Sequence, residues 1–276
     1  MIEIPEAPVL ASQLNAAIAG QTITAVTVGH SPHKFAWFYG DPQNYPLLLT
    51  GRKVDRATNY GGMVEITAGA ARLLFGDGVG LRYHPDQNRP AKHQLLIEFA
   101  AGTALSASVQ MYGGLWCFPV GEFDNPYYKV AKEKPSPLTA AFDPDYFKRL
   151  IAAPEVAKLS AKAFLATEQR VPGLGNGVLQ DILWQAKIHP KQKINTLSAA
   201  AKRALFDAVK SVLADMTRRG GRDTEKDLWG NNGAYKTVMS KNNAGFPCPV
   251  CGGYIKKENY LGGSIYYCEG CQRQTV

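Results

Sequence analysis

The first segment of the chain with a periodic apolar pattern is predicted to be a helix. Between residues 6 and 19 the apolar residues Leu10, Leu14 and Ile18 recur at every fourth position, and Gly20 follows them. This spacing places apolar side chains on one face of a helix, and glycine is common just past a helix end. The pattern therefore predicts an amphipathic helix over residues 6–19.

A second pattern, of short β-branched or alternating runs between glycine-rich turns, extends to about residue 118. Such runs are typical of β-strands, and several of them in succession indicate a sandwich or a barrel. The predicted strands cover residues 22–28, 62–67, 72–75, 94–99 and 104–109.

The pattern changes again at five prolines between residues 119 and 145, a composition typical of a linker. Helical periods follow over residues 145–152, 154–166, 177–186 and 198–218, before a glycine- and asparagine-rich loop at 220–247. The predicted fold class is α+β. Its parts are an N-terminal helix with a β-sandwich (1–120), a linker (121–145), a helical domain (146–240) and a finger (241–276).

The net charge of +8 lies entirely in the second half of the chain. Residues 1–150 hold 13 basic and 13 acidic residues, whereas residues 151–276 hold 18 and 10. A basic half joined to a neutral half favours a polyanionic partner, with nucleic acid as the leading candidate. An ordinary solvated basic surface has the same composition and stays an alternative.

The chain has no apolar run of membrane-spanning length. Its first residues include two glutamates, where a secretory signal has a basic and then an apolar segment. We therefore expect a soluble, cytoplasmic protein, a monomer, with no membrane partner.

Four of the five cysteines form two Cys-x-x-Cys pairs, Cys248 with Cys251 and Cys268 with Cys271. Two such pairs at this separation are a specific signal for a closed tetrahedral zinc site, which is structural because it leaves no open coordination position. Two disulfides are the alternative, which the absence of a secretory signal disfavours. The sequence thus predicts one structural zinc ion in a β-hairpin finger.

A Gly-x-Gly-Asn turn lies directly before the helix predicted at 177–186 and includes Gly175 and Asn176. Glycines let backbone amides approach a ligand closely, and a helix N-terminus carries partial positive charge. The turn is therefore a candidate phosphate site, with the Asn176 side chain as a further donor. A simple turn before a helix is the alternative.

Three features together resemble the formamidopyrimidine-DNA glycosylase / endonuclease VIII family of base-excision repair enzymes. The start, Ile2-Glu3-Ile4-Pro5-Glu6, is similar to the family's Pro-Glu-Leu-Pro-Glu opening. The segment from Lys162 to Pro190 is similar to its helix–two-turns–helix motif, and the finger has its cysteine spacing and its Cys-Gln ending. The order of predicted elements also agrees over nearly the whole chain.

The resemblance implies that DNA, damaged or abasic, lies in a cleft between two lobes and that a damaged base is flipped out of the stack. In the family, an N-terminal proline amine attacks C1′ and expels the base through a Schiff base, which then permits strand cleavage. The adjacent glutamate, here Glu3, transfers protons. Glu6, Lys162, Gly175 and Asn176 also match family positions. The alternatives are helix capping by acids at a helix start for Glu3 and Glu6, and a solvated helix face for Lys162.

The chain departs from the family at the nucleophile. Ile2 stands where the family has proline, so with Met1 retained the amine belongs to Met1, one residue further from Glu3. A primary α-amine can still form a Schiff base, and its ordinary pKa near 8 leaves part of it neutral at pH 7. If Met1 were removed, the Ile2 amine would lie beside Glu3.

Further departures fall on the DNA contacts. Asn59 aligns with the family's phosphate-binding lysine, and Gly263 aligns with the arginine of its finger. Met111 and Tyr112 align with residues that insert into the vacated base stack, although a place in the core is as plausible for both.

Three hypotheses follow from these residues. The first is a DNA glycosylase and AP lyase that uses an N-terminal amine with Glu3. The second is a catalytically altered or inactive protein of the same fold that binds damaged or single-stranded DNA. The third, an RNA- or ribosome-associated zinc protein, uses the same basic half but has no RNA-specific sequence feature in its favour.

Overall fold

The computed structural model describes residues 1–274, except for the side chain of Asp77. The first predicted element is confirmed: helix α1 (Glu6–Ile18) buries Leu10, Leu14 and Ile18 along one face. This face packs against two neighbouring strands of the N-terminal sheet, β3 (Arg56–Tyr60) and β4 (Met63–Ala68).

The N-terminal sheet has seven strands in the order β1-β6-β7-β5-β4-β3, and the short β2 pairs in parallel with β7. All the other neighbours are antiparallel. The remaining strands are β1 (Ile23–Val28), β2 (Ala36–Trp37), β5 (Ala71–His84), β6 (Leu95–Phe99) and β7 (Ala104–Pro119). The short helix α2 (Tyr45–Leu49) packs on β1 and β7.

Two strands are much longer than predicted, because β5 and β7 continue through glycines that resemble turns in the sequence. Their register shifts between Asp77 and Val79, in the middle of the pairing. A Cβ atom on Gly78 would lie 2.2 Å from the carbonyl oxygen of Tyr112, so the close approach of the two strands requires glycine there. The glycines therefore allow a bend within the strands and do not end them.

This bend lets one sheet enclose one core. Side chains from both ends of the long strands, including Phe75 and Leu105, belong to the same buried cluster, together with Val64 and Ile97. The predicted α+β fold class, with a leading helix and an N-terminal β-sandwich, is confirmed, and the strands of this part belong to a single seven-stranded sheet.

The second half of the chain is helical, with its own core around Phe164, Leu183 and Leu213. Its helices are α4 (Pro144–Ala152), α5 (Ala161–Ala166), α6 (Leu179–Gln185) and α7 (Ala199–Arg218). The segment predicted as the linker contains a further helix, α3 (Pro126–Glu133), which begins at the cap residue Asn125.

The helix predicted over residues 154–166 is wrong in its extent. Pro154–Val156 forms a 3₁₀ turn, and α5 begins only after Ser160, whose side chain accepts a hydrogen bond from the Ala163 amide. Ser160 also forms a bridge with Lys193. A serine cap pairs with an amide that has no partner within the helix, so it marks the start of a helix. Ser160 therefore begins α5, and the predicted helix is not continuous from residue 154.

The C-terminal finger is a hairpin of β8 (Lys256–Tyr260) and β9 (Gly263–Tyr267), preceded and followed by the cysteine pairs. The buried Gln272 joins it to the helical lobe, because its amide donates to the carbonyl of Ile188 at 2.9 Å. Within residues 1–274, none of the helices has the apolar length that a membrane span requires.

The first five residues connect the two lobes. The Ile2 side chain belongs to the core of the sheet, whereas the Ile4 side chain belongs to the core of the helical lobe. The Ile4 amide donates to the carbonyl of Gly173 at 3.0 Å, and Gly173 in turn packs on the Gly61-Gly62 turn between β3 and β4. The chain start and two glycine turns therefore form the junction between the lobes.

We predict that Gly173→Ala destabilises the protein more than Gly220→Ala does. Both glycines have positive φ, 79° and 71°, so alanine costs about 1–2 kcal/mol at either position. Only at Gly173 does the new Cβ atom meet other atoms, 1.9 Å from the Gly62 nitrogen, while the space at Gly220 is open. This clash should cost Gly173→Ala about 1–3 kcal/mol more of its free energy of unfolding, which denaturant unfolding measures. Equal losses in the two variants would contradict the proposed junction.

Candidate active site between the two lobes

A cavity of about 370 Å³ lies where the N-terminus, the sheet and the helical lobe meet. It brings together six of the residues singled out in the sequence: Met1, Ile2, Glu3, Glu6, Met111 and Asn176. These residues come from positions up to 175 apart in the chain, from the start, from β7 and from the turn before α6. The structure therefore collects these six predicted site residues around one opening.

The Met1 amine lies at the edge of this cavity and forms an ion pair with the carboxylate of Glu225. The Met1 residue is 42% exposed, whereas Ile2 is buried in the sheet core. The buried Ile2 side chain fixes the direction of the chain start, and the amine beyond it stays accessible to a ligand in the cavity.

Glu3 is buried against the Gly-x-Gly-Asn turn. Its carboxylate accepts hydrogen bonds from the amides of Gly177 and Val178, both at 3.0 Å, and lies 3.4 Å from the Arg222 guanidinium. Burial raises the pKa of Glu3, and the neighbouring charge of Glu6 raises it further, against the opposing effects of Arg222 and the two amides. Glu3 therefore holds a proton more readily than a surface glutamate does.

Glu6 is the main partner of Arg222. Its two carboxylate oxygens accept from the Nε and Nη2 atoms of Arg222, each at 2.9 Å, and one also accepts from the Arg222 amide at 3.2 Å. Burial alone would raise the pKa of Glu6, but the charge and hydrogen bonds of Arg222 outweigh it and lower that pKa. Burial alone would lower the pKa of Arg222, but the charges of Glu3 and Glu6 outweigh this effect and raise that pKa. One buried cation thus holds two buried carboxylates.

The turn before α6 has room for these groups only because it contains glycine. A Cβ atom on Gly175 would lie 2.7 Å from the Glu3 carboxyl carbon. A Cβ atom on Gly177 would lie 1.8 Å from the Arg222 guanidinium and 2.7 Å from a Glu3 oxygen. These glycines therefore leave space for the side chains of Glu3 and Arg222. The sequence pattern, in contrast, predicts that Gly175 lets the backbone approach a phosphate.

Lys162 and Asn176 both meet the turn of the finger hairpin. The Lys162 ammonium donates to the carbonyl of Tyr260, and the Asn176 amide donates to the carbonyl of Ser264 at 2.9 Å. Burial lowers the pKa of Lys162. A Cβ atom on Gly263 would lie within 3.6 Å of both side-chain nitrogen atoms. The two predicted DNA contacts are thus adjacent, at the position where the family's finger arginine is missing.

The other predicted DNA contacts lie on the sheet. Met111 is 66% exposed on β7 at the rim of the cavity. The neighbouring Tyr112 points to the other side, where its ring stacks on Trp37 at 5.6 Å between centroids. Asn59 lies half-buried on β3, opposite Val64 of β4, and does not line the cavity.

Sequence reasoning missed Arg222 and Glu225. Both lie in the segment predicted as a plain glycine- and asparagine-rich loop, where charged residues are expected to face solvent. One feature of the sequence points to a residue such as Arg222: the acids Glu3 and Glu6 at the chain start need a basic partner if they are buried. The sequence does not indicate which of 31 basic residues supplies it.

The four cysteines of the finger are brought together as predicted. All four sulfur atoms lie within 4.8 Å of one another, with 3.3 Å between Cys251 and Cys268 and 3.8 Å between Cys248 and Cys271. Tetrahedral zinc with Zn–S bonds of about 2.3 Å places its sulfur ligands about 3.8 Å apart. The donor set therefore fits one zinc ion, which these cysteines would hold as a structural link across the finger.

Comparison with known proteins agrees with this architecture. A family model described as the formamidopyrimidine-DNA glycosylase H2TH domain matches residues 134–227. A formamidopyrimidine-DNA glycosylase of Alkalilimnicola ehrlichii is 30% identical over 99% of this chain and 100% of its own length. One from Photobacterium damsela subsp. piscicida is 27% identical with the same coverage.

Solved structures share the fold. MutM (Fpg) of Thermus thermophilus superimposes with a TM-score of 0.80 at 22% identity, covering 99% of this chain and 100% of that one. The Lactococcus lactis Fpg in complex with DNA containing an abasic site superimposes with a TM-score of 0.84 at 23% identity, with the same coverage of both chains. A two-lobed fold with a helix–two-turns–helix segment and a four-cysteine finger thus defines the class. This chain belongs to the formamidopyrimidine-DNA glycosylase family.

We predict that Arg222→Met destabilises the protein by about 3–5 kcal/mol, because it leaves Glu3 and Glu6 buried without their cation. The matched control is Arg219→Ala, since Arg219 is half exposed and pairs with Asp215 in a surface interaction worth about 0–1 kcal/mol. Denaturant unfolding at pH 7 measures both. A loss as small as that of the control would show that the buried cluster does not stabilise the fold.

We also predict that the purified protein contains about one zinc ion per chain and that Cys248→Ser loses it, because a structural site needs all four ligands. Cys117→Ser serves as the control, since Cys117 is a buried free cysteine in the sheet and should leave the metal content unchanged. Elemental analysis by mass spectrometry gives the ratio. A wild-type content far below one would contradict the site.

Proposed function

We propose that this protein is a DNA-repair glycosylase with AP lyase activity, which acts on damaged bases or abasic sites through the Met1 amine. The observation that carries the proposal is the meeting of this amine, the buried Glu3 carboxyl and the exposed Met111 around one cavity. Family membership supports the same activity, since the relatives named above are DNA glycosylases. The net positive charge of residues 151–276 would also favour binding of DNA, whose phosphates are negatively charged.

The residues of the site can divide the chemistry between them. The Met1 ammonium must first leave its ion pair with Glu225 and lose a proton. The neutral amine then bonds to C1′ of the flipped nucleotide as the bond between C1′ and the base breaks, and the base leaves with the electron pair. The raised pKa of Glu3 suits the transfer of a proton at this step. The attached nitrogen then loses one proton, and its lone pair forms the C1′–N double bond as the C1′–O4′ bond breaks and O4′ takes up a proton, which gives the Schiff base. The Schiff base makes the C2′ proton acidic, and removal of that proton lets the 3′ phosphate leave, which cleaves the strand.

A second function, binding of damaged or single-stranded DNA without catalysis, is favoured by a specific observation. The Met1 amine is paired with Glu225, and the Glu3 carboxylate already has three donors. Both groups are therefore engaged with the protein's own residues, and catalysis requires the amine to leave its ion pair. The absence of the family's proline, lysine and arginine at Ile2, Asn59 and Gly263 supports the same alternative.

We predict that borohydride traps the protein covalently on an oligonucleotide containing an abasic site, because reduction converts a Schiff base into a stable amine. Peptide mapping by mass spectrometry should place the adduct on the N-terminal peptide. Lys226→Ala and Lys241→Ala are the matched controls, since these lysines also present primary amines to the cavity, and both variants should still be trapped. An adduct on either lysine, or none despite tight binding of the same oligonucleotide, would contradict the proposal. The second result would support the binding protein.

We predict further that Glu3→Gln lowers the rate of trapping by about 10²- to 10⁴-fold, the usual effect of losing a proton-transfer group. Glu155→Gln, at an exposed position on the helical lobe, is the control and should react at the parent rate. Affinity for the oligonucleotide is measured alongside. A Glu3→Gln protein that binds and reacts like the parent would assign Glu3 a purely structural role.

A further inference from the structure

A second cavity, of about 360 Å³, lies beside the first and has no role in the chemistry described above. Four of its ten lining residues are aromatic and come from β2, β7 and α3: Trp37, Tyr112, Trp116 and Tyr127. Trp37 is 46% and Tyr127 55% exposed, although isolated aromatic rings gain free energy by burial. A group of partly exposed rings around one opening indicates a surface that binds a flat apolar ligand.

Strands β2 and β7 bring three of these rings together, those of Trp37, Tyr112 and Trp116. Strand β2 pairs in parallel with Gly113 and Gly114 of β7, which brings Trp37 against Tyr112. The Trp116 indole lies across Gly114, where a Cβ atom would be 2.0 Å from the ring. A side chain at Gly114 would therefore displace Trp116, so this glycine sets the position of the indole.

The polar groups of the cavity are neutral. Among the described residues that line it, the polar side chains are the phenols of the two tyrosines, the Trp indoles and the amides of Asn125 and Gln169. The backbone of Gln169 has a φ of 49°, and its carbonyl accepts a hydrogen bond from Lys134 at 2.9 Å. Because no charged side chain is found among the described residues of the lining, the cavity does not suit a phosphate. Rings and amides together suit a nucleobase, which has two stacking faces and an edge of donors and acceptors.

The two cavities are separated by little more than the chain start. Gly62 and Gly173 line the aromatic cavity, and a Cβ atom on Gly62 would lie 3.2 Å from the Ile2 carbonyl and 3.4 Å from the Glu3 Cα. On the sheet side, Met111 lines the first cavity and the next residue, Tyr112, lines the second. A strand whose abasic sugar reaches Met1 would thus have a neighbouring base within reach of the rings.

We propose that this aromatic cavity binds an unpaired base of the strand that carries the lesion, next to the abasic nucleotide. The inference rests on the proposed DNA-repair function and extends it to the form of the substrate. A paired base is already stacked within its duplex, whereas a base in a single strand is free to stack on Trp37 and Tyr127. The protein therefore prefers single-stranded DNA to duplex around the lesion.

The test measures binding of an abasic oligonucleotide as a single strand, as a duplex, and as a duplex with a second abasic site opposite the first. The parent protein should bind the single strand most tightly. Trp37→Ala and Tyr127→Ala should each weaken that binding roughly 5- to 150-fold and remove the preference, since stacking is worth about 1–3 kcal/mol per base. Trp37→Phe should restore most of it. Leu47→Ala is the control, because Leu47 is an exposed apolar residue of the same lobe that does not line the cavity.

Photo-crosslinking gives a second measurement with the same strands. An oligonucleotide with 5-iododeoxyuridine beside the abasic site should crosslink to Trp37, Tyr112, Trp116 or Tyr127, as located by peptide mapping. Unchanged single-strand binding in both alanine variants would overturn this inference alone. A Trp37→Ala effect confined to the duplex that has a base opposite the lesion would also overturn it, in favour of that opposite base. Failure of borohydride trapping with these binding effects intact would overturn only the proposed catalysis.

Discussion

The site depends on one buried interaction, the contact of the Arg222 guanidinium with the carboxylates of Glu3 and Glu6. Removing three charges from water is costly, and the cost is offset only where geometry and hydrogen bonding are good. Here the fork of the arginine meets Glu6 through two of its nitrogens, and backbone amides satisfy Glu3. The cluster thereby fixes the chain start, the turn before α6 and the loop after α7 relative to one another.

The same cluster determines how the chemistry is arranged. Because Glu3 is held on the helical lobe and Ile2 in the sheet, the Met1 amine projects into the cavity between them. One residue, Ile2, separates Met1 from Glu3 in the chain. In the proposed mechanism Glu3, held by backbone amides and Arg222, would transfer the proton, while the Met1 amine lies at the cavity in an ion pair with Glu225.

Local patterns in the sequence predicted local structure well. Helix α1 and the four-cysteine cluster follow from spacings of a few residues, and both are confirmed. The long strands could not be predicted, because Gly76, Gly78 and Gly80 are turn residues by composition and become strand residues only opposite β7. Arg222 could not be predicted either, since its carboxylate partners lie 216 and 219 positions away. Long-range charge pairing leaves no periodic signal in the chain.

These long separations have a consequence for synthesis of the protein. Chains are made from the N-terminus, and contacts between distant residues cannot form until both have left the ribosome. The sheet can assemble once residue 119 has emerged, since all seven of its strands lie before that point. Glu3 and Glu6, however, cannot pair with Arg222 until it has emerged, so both carboxylates lack their cation while the sheet is already able to fold. A truncated product that ends before this arginine would contain the whole sheet and lack an assembled cleft.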